Sequence, residues 1–568
     1  MKKIFAFADK HWYLLSMLLI FSYILFSGIQ TICYSDEGYF GSAYQNFFDA
    51  HESTYTTDSY YLSILVGAIW DKLFGNYGIF SYTILAGIFS CVTFHFVQRT
   101  LLKVGCRDRW YITVGFFITL LYGFTYLINN IHITCLLLSI EGCLIVESCK
   151  ERLPRKLFLA SFLGVLNVFS RIPNVLLLLL LLIPIIAVRK NKRLIVSYLI
   201  NAIVGGLFAL FVMFVLMYLL GHWDYFYKAT FENLAIEAAS GEESIHSFST
   251  LMIHYVMDYI CVFILMIVIG VFEISRKLFR RSFSILFYLI TASLLMIITI
   301  YLLKIYVYVH SFNYIVFSVG TYCLLHNILL KRGGHFYTLY LVALGVAFLL
   351  PIGTDAGIAS LGGFSSMFMM PLALSDIGNA IRTQNCIYRK ANNLIVNSLV
   401  ALFIILRLLD MMINGTWAEP GTRMVKTYTI ENSKFATVFV SKERSKEIDP
   451  ALEELSKYVK EGDYLFCFKD IPIFNYLTRT KPYAYCSEAG FINPGLFNSH
   501  IEQAEAEIDT MPIVIREKGI IKNPGWNRQL EIFENFISRH KYNVVWESEK
   551  FEILVPGNYD YNGKANNY

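Results

Sequence analysis

Two adjacent acids, Asp36 and Glu37, stand in the stretch "YSDEGYF", directly behind a 22-residue apolar run from Trp12 to Cys33. Tyr34, Tyr39 and Phe40 surround them. Carboxylates in this setting have two readings. Acids that follow a first membrane span are commonly just solvated loop residues. A carboxylate held against apolar surface is another matter, because desolvation raises its pKa and its strength as a base. Such a group can take a proton in a reaction at the membrane surface. Behind the acids, Phe40, Tyr44, Phe47 and Phe48 recur at helical spacing. That pattern predicts an interfacial helix with its aromatics in lipid.

The elements that position these acids are membrane-embedded. The chain has 568 residues, of which 56% are hydrophobic and 16% charged, with mean hydropathy +0.51. A soluble domain carries about 25% charged residues. The fold class is therefore a polytopic α-helical membrane protein with a soluble part attached. Apolar runs at 12–33, 78–98, 110–128, 131–148, 157–170, 174–188, 194–220, 258–274, 282–303, 308–328, 336–352, 364–381 and 393–413 read as thirteen spans. The fifth and sixth are short and meet at a tight turn, Arg171-Ile172-Pro173-Asn174. With the N-terminus inside, cytoplasmic segments hold 24 Lys and Arg and the outer loops hold four: Lys72, Arg171, Lys228 and Lys304. The positive-inside rule predicts that bias. The run 60–74 is too short to cross and is expected to lie on the outer face within the first outer loop, 34–77. Residues 1–413 thus form the membrane domain, and 414–568 lie outside the cytoplasm.

The outer tail alternates strands and helices, which predicts a small α/β domain. Strands are expected at "ATVFVS", "DYLFCF", "PYAYC", "MPIVIRE", "NVVWES" and "FEILV". Helices are expected at "PALEELSKYVKE", near "IFNYL", from Leu496 to Glu507 and over "NRQLEIFENFISRH". The tail has no glycine-rich phosphate loop and is expected to carry no catalytic acid. All of the chain's positive excess lies in the membrane part, where orientation explains it, so no nucleic-acid partner is implied. Most cysteines fall in or beside spans; Cys467 and Cys486 lie where a disulfide is permitted. No cysteine pair has zinc spacing, and a metal cofactor is not indicated.

The acidic motif, followed by "SYYLSILVGAIWDKLFGNYGIFSYTILAGIFS", resembles the GT-C superfamily of glycosyltransferases. The closest branch holds the protein O-mannosyltransferases and the lipid A aminoarabinose transferases. Thirteen spans and an outer C-terminal domain are also similar to that branch. The resemblance implies a polyprenyl-phosphate-linked sugar as donor and a protein, lipid or glycan acceptor. The membrane is expected to be a bacterial inner membrane, with the endoplasmic reticulum as the alternative, and transfer is expected on the outer face. The resemblance makes Asp36 the base, by match to the family's first acidic position, and gives Glu37 a part in orienting Asp36, binding the acceptor or helping to hold a metal.

A leaving phosphate needs cations, and Arg171 and Lys304 are the candidates. Interfacial snorkelling is the other reading of both. Tyr308 and His310 stand at the same mouth or serve as interface anchors. Many relatives place a second acid at the outer start of the fourth span; here the stretch reads "INNIHIT", so Asn129, Asn130 and His132 occupy it. An amide binds a sugar hydroxyl but is no base. Glu141 lies deeper in that span. Two other classes stay open on residues alone: a lipid or glycan transporter, and an inactive relative that scaffolds envelope assembly.

Overall fold

A computed structural model describes residues 7–30, 32–49, 60–121, 128–232, 248–278, 310–329, 335–353, 357–382, 386–415, 418–485, 487, 492–519 and 527–557. The membrane part is helical throughout these residues. Ile79–Val104, Asn130–Glu151, Lys192–Leu219 and Asn392–Asn414 are each long and apolar enough to cross a bilayer. Shorter apolar helices are Trp12–Gly28, Arg109–Leu121, Ile172–Ala187, Tyr255–Ile267 and Phe336–Leu349. The expected span 282–303 lies outside the described residues. The run 364–381 is not one helix: Gly357–Ser365 ends and Met369–Arg382 begins within it.

Helix contacts here use small residues. Pro154–Ser170 packs between Asn130–Glu151 and Lys192–Leu219. At Gly205 an added Cβ would sit 2.2 Å from the Phe158 carbonyl oxygen, so only glycine permits that approach. The opposite face of Lys192–Leu219 exposes Ile203, Leu207, Phe211 and Phe214, as a lipid-facing side does.

The short sixth span is lengthened by its geometry. Ile172–Leu181 is a ten-residue 3₁₀ helix that runs into the α-helix Leu182–Ala187. A 3₁₀ helix rises about 2.0 Å per residue against about 1.5 Å in an α-helix. The sixteen residues from Ile172 to Ala187 therefore reach roughly 29 Å, close to the bilayer core.

Two short helices follow the first span, Asp36–Asn46 and Tyr61–Phe74. Fourteen residues reach only about 21 Å, too short to cross. Their aromatics correct the expectation of lipid contact. Tyr44 and Phe47 are fully buried and Phe40 nearly so; only Phe48 is exposed. Tyr44 Oη donates to the Ile128 carbonyl at 2.7 Å, and Phe47 packs edge-on to His222. The stripe is protein core, because Tyr61–Phe74 and the segment that begins at His222 cover it.

The tail forms a five-stranded sheet in the order β2-β1-β3-β5-β4. β1 is Tyr464–Phe468, β2 Lys481–Pro482, β3 Ile513–Glu517, β4 Asn543–Glu547 and β5 Phe551–Val555. β1 runs parallel to β2 and to β3, with Phe466 opposite Val514. β5 is antiparallel to both β3 and β4. The helices Pro494–Glu507 and Asn527–Arg539 bury Phe497, Ile501, Phe533 and Phe536 against one face.

Three readings of the tail differ from the structure. "ATVFVS" joins no sheet; Phe439 bridges Gln30 and Val440 bridges Tyr428 instead. "PYAYC" gives one strand residue, Pro482, and then a single 3₁₀ turn, Tyr483–Tyr485. The first helix starts at Lys442 rather than Pro450, since Ser441 caps it by accepting from Arg444 N at 3.1 Å, and Pro450 lies inside. Cys486 lies outside the described residues.

Candidate active site

Asp36 and Glu37 form the first turn of their helix, where the positive end of the helix dipole favours their charge. Glu37 Oε2 accepts from the Cys33 amide at 2.7 Å, which folds the chain tightly as it leaves the first span. Both acids are half-buried. What covers them is the tail. Ile473 N donates to the Tyr34 carbonyl at 3.0 Å. Gly38 lies against the Pro472–Ile473 backbone, where a Cβ would come within 2.1 Å of Ile473 N. Tyr34 Oη donates to Glu447 at 2.6 Å, and its ring carries the Arg444 guanidinium at 4.0 Å and Lys550 Nζ at 4.2 Å.

That cover sets the electrostatics. Burial, with the nearby charge of Asp470, pushes Asp36 up to about 6. Burial pushes Glu37 further, to about 8, against the opposing pull of the Cys33 amide. The charge on Asp36 raises Glu37 too, and Arg444 lowers it. At pH 7 Asp36 is mostly a carboxylate and Glu37 mostly a carboxylic acid. Neighbouring acids split in this way supply one proton acceptor and one hydrogen-bond donor.

The other residues singled out from sequence lie in different places. Arg171 is 2% exposed, and its guanidinium donates to Asn174 Oδ1 at 3.3 Å and to the Leu350 and Ile352 carbonyls at 3.0 Å each. It ties the turn between two spans to the end of the helix His335–Leu349 rather than standing open at a mouth. Asn130 and His132 are buried at the start of Asn130–Glu151. Asn129 Oδ1 accepts from Ile131 N at 3.0 Å and lies 3.0 Å from His132 Nδ1. The His132 ring lines a small apolar cavity with Phe116, Phe364 and Met367. No hydrogen bond or ion pair among the described residues joins Asn130 or His132 to the acid pair. Lys304 and Tyr308 lie outside the described residues, and His310 opens the helix His310–Leu329. Glu141 is fully buried, and neither carboxyl oxygen has a partner among the described residues.

Three acids went unnoticed in the sequence. Asp71 is buried in Tyr61–Phe74, accepts from Tyr82 Oη at 2.6 Å and lies 3.7 Å from Arg479 of the tail. A lone acid inside an apolar run was the available signal. Asp258 accepts from Ile358 N at 2.8 Å and so caps the helix Gly357–Ser365; Tyr314 Oη donates to it as well. Asp470 follows β1, its charge adds to burial in raising Asp36, and no local pattern marks it. Among the described residues no group of three or more His, Cys, Asp or Glu side chains could hold a metal ion.

No family model matches the chain. No curated protein matches it either. Among solved structures it is similar to ArnT from Cupriavidus metallidurans bound to undecaprenyl phosphate, at 9% identity and TM-score 0.46, covering 95% of this chain and 97% of that one. It is also similar to an oligosaccharyltransferase from Archaeoglobus fulgidus in complex with Zn and sulfate, at 12% identity and TM-score 0.44, covering 88% and 68%.

Proposed function

We propose that this protein is an integral-membrane glycosyltransferase that moves a sugar from a polyprenyl-phosphate donor onto an acceptor outside the cytoplasm. The observation that carries the reading is the Asp36–Glu37 pair, half-buried at the end of the first helix, where burial raises both carboxyls. A donor with its tail in the bilayer presents its sugar at this level. Asp36 takes the acceptor's proton as the acceptor oxygen bonds to the anomeric carbon. The bond from that carbon to the phosphate oxygen breaks, and the electron pair leaves with the polyprenyl phosphate. Glu37, as an acid, hydrogen-bonds the acceptor or a sugar oxygen. Arg171, held by three neutral acceptors, and Lys304 are assigned to the phosphate. Asn130, His132, Tyr308 and His310 are assigned weaker substrate contacts. The scaffold is a thirteen-span domain over 1–413 with the N-terminus inside and the domain 414–568 outside, in a bacterial inner membrane.

Glu141 favours the transporter reading, since an acid with no partner inside a span is a feature that transporters use. One assay separates the two. With a radiolabelled polyprenyl-phosphate sugar and purified protein, Asp36→Asn lowers transfer by roughly 100-fold, the usual scale for a general base, and leaves donor binding nearly intact. A transporter loses no transfer in that variant because it has none. Label that crosses vesicles without ever joining an acceptor ends the glycosyltransferase reading.

A further inference from the structure

We propose that the turn Arg423–Val425 rests in the bilayer leaflet on the tail side, with Met424 and Val425 covered by phospholipid acyl chains, so that the tail has its own grip on the membrane. The proposal does not depend on the glycosyltransferase reading. In the stretch Arg423-Met424-Val425-Lys426 the arrangement of a water-facing turn is inverted. Both cations are turned inward, each 1% exposed, while Met424 and Val425 are turned outward at 76% and 55%. Scattered apolar residues on a surface are ordinary, but fully buried Arg and Lys beside exposed Met and Val are not.

Two membrane helices fix the height of the turn. Arg423 donates to the carbonyls of Phe26 at 2.6 Å and Ser27 at 3.3 Å, in the last turn of Trp12–Gly28, and its guanidinium lies 4.8 Å from the Phe26 ring. Thr422 Oγ1 donates to the Met412 carbonyl at 3.1 Å, and Gly421 N to the Asn414 carbonyl at 2.9 Å, at the end of Asn392–Asn414. Phe26 and Ile413 are themselves exposed beside these ties. Met424 and Val425 therefore continue an apolar surface that the ends of two helices already present to lipid. The backbone suits that level. Irregular backbone approaches hydrocarbon only where the chain itself satisfies its polar groups. Met424 N donates to Thr422 Oγ1 at 3.4 Å, Val425 N to the Thr422 carbonyl at 3.3 Å and Lys426 N to the Arg423 carbonyl at 3.2 Å. Gln30 Nε2 donates to the Arg423 and Lys426 carbonyls. The rim continues along the tail. Phe439 N donates to the Ile29 carbonyl and Ile79 N to the Phe435 carbonyl, both at 2.9 Å, so residues 435–439 cross the ends of two helices with Phe439 exposed. Beside them stands Tyr77, also exposed, a residue type that collects at headgroup level.

The test uses unmodified full-length protein, one molecule to each phosphatidylcholine nanodisc, so that no second copy covers the turn. An apolar diazirine dissolved in the bilayer is photolysed, and labelled peptides are quantified by mass spectrometry. In a parallel sample, hydroxyl radicals are generated in the water and the sulfoxide of Met424 is measured. The peptide carrying Met424 and Val425 takes up roughly tenfold more diazirine than the one carrying Val544, similarly exposed on β4, because the reagent follows the acyl phase. In Val425→Asp the uptake falls and oxidation of Met424 rises, whereas Val425→Leu keeps the wild-type pattern, which separates loss of lipid contact from loss of fold. Oxidation of wild-type Met424 without diazirine uptake places the turn in water and overturns the proposal. Modification by neither reagent places protein over the turn and overturns it as well.

Discussion

Gly38→Ala is the sharpest perturbation of the contact between the domains. The added methyl carbon lands 2.1 Å from Ile473 N and 2.5 Å from the Pro472 carbonyl carbon, both backbone atoms that cannot rotate aside. The helix Asp36–Asn46 and the tail must therefore separate. Overpacking of this kind costs about 1–3 kcal/mol. The Ile473 N to Tyr34 carbonyl bond at 3.0 Å lengthens or breaks, for about 1 kcal/mol more. Together these weaken docking by roughly 2–4 kcal/mol, and the lower figure already raises the undocked fraction about 30-fold. Limited proteolysis of purified protein, followed by the release of fragments from residues 414–568, reads that fraction. Transfer falls in step, because Asp36 loses the cover that sets its basicity. Gly206→Ala is the control, since its new methyl meets only side chains at 3.3–3.4 Å, far from the tail. Wild-type protease resistance and turnover in Gly38→Ala would refute both the contact and its role.

Two further predictions concern single groups. Glu37→Gln copies the protonated form already dominant at pH 7, so turnover there changes only a few-fold, while the wild type alone responds to pH near 8. Because folding raises Glu37 from 4.5 to about 8, its relative contribution to stability is full below 4.5 and is lost as pH rises through 8. Melting temperatures of wild type minus Glu37→Gln should decline across that window, and a flat difference contradicts the burial of Glu37. Arg171→Ala removes three buried hydrogen bonds from a charged donor, worth about 3 kcal/mol or more, and lowers the melting temperature. Measured beside Lys304→Ala, a loss of donor affinity in Arg171→Ala keeps the phosphate assignment, and unchanged affinity leaves Arg171 with its tie between helices alone.

The helical character of the membrane part, the two short helices after the first span and the mixed sheet of the tail could be read from hydropathy and alternation. Strands β1, β3, β4 and β5 fell where Val, Ile, Phe and Tyr cluster between turn residues. What escaped has a common cause. Phe40, Tyr44 and Phe47 show the same periodicity whether they face lipid or protein, and sequence spacing cannot tell which neighbour covers them. Pro450 read as the start of a helix, while the Ser441 cap nine residues earlier begins one that tolerates it. The acid pair was visible because it is local. The seat of Gly38 on Pro472–Ile473 was not, because it depends on how a distant loop docks, and no pattern inside "CFKDIPIF" records that.

The Arg423 guanidinium donates to the carbonyls of Phe26 and Ser27, 397 and 396 residues earlier in the chain, at the closing turn of the first span. Gln30 reaches back to the carbonyls of Arg423 and Lys426, at 3.0 and 2.9 Å. The ribosome adds roughly 5–20 residues per second, so the first helix waits about 20–80 s in the bilayer before its capping partner exists. Throughout that interval the acid pair has no roof and the last carbonyls of the helix face whatever the membrane surface offers. The first helix is thus finished by a residue made after the last one, and a nascent chain stalled between Asn414 and Arg423 holds every described helix of the membrane part yet cannot complete the first one.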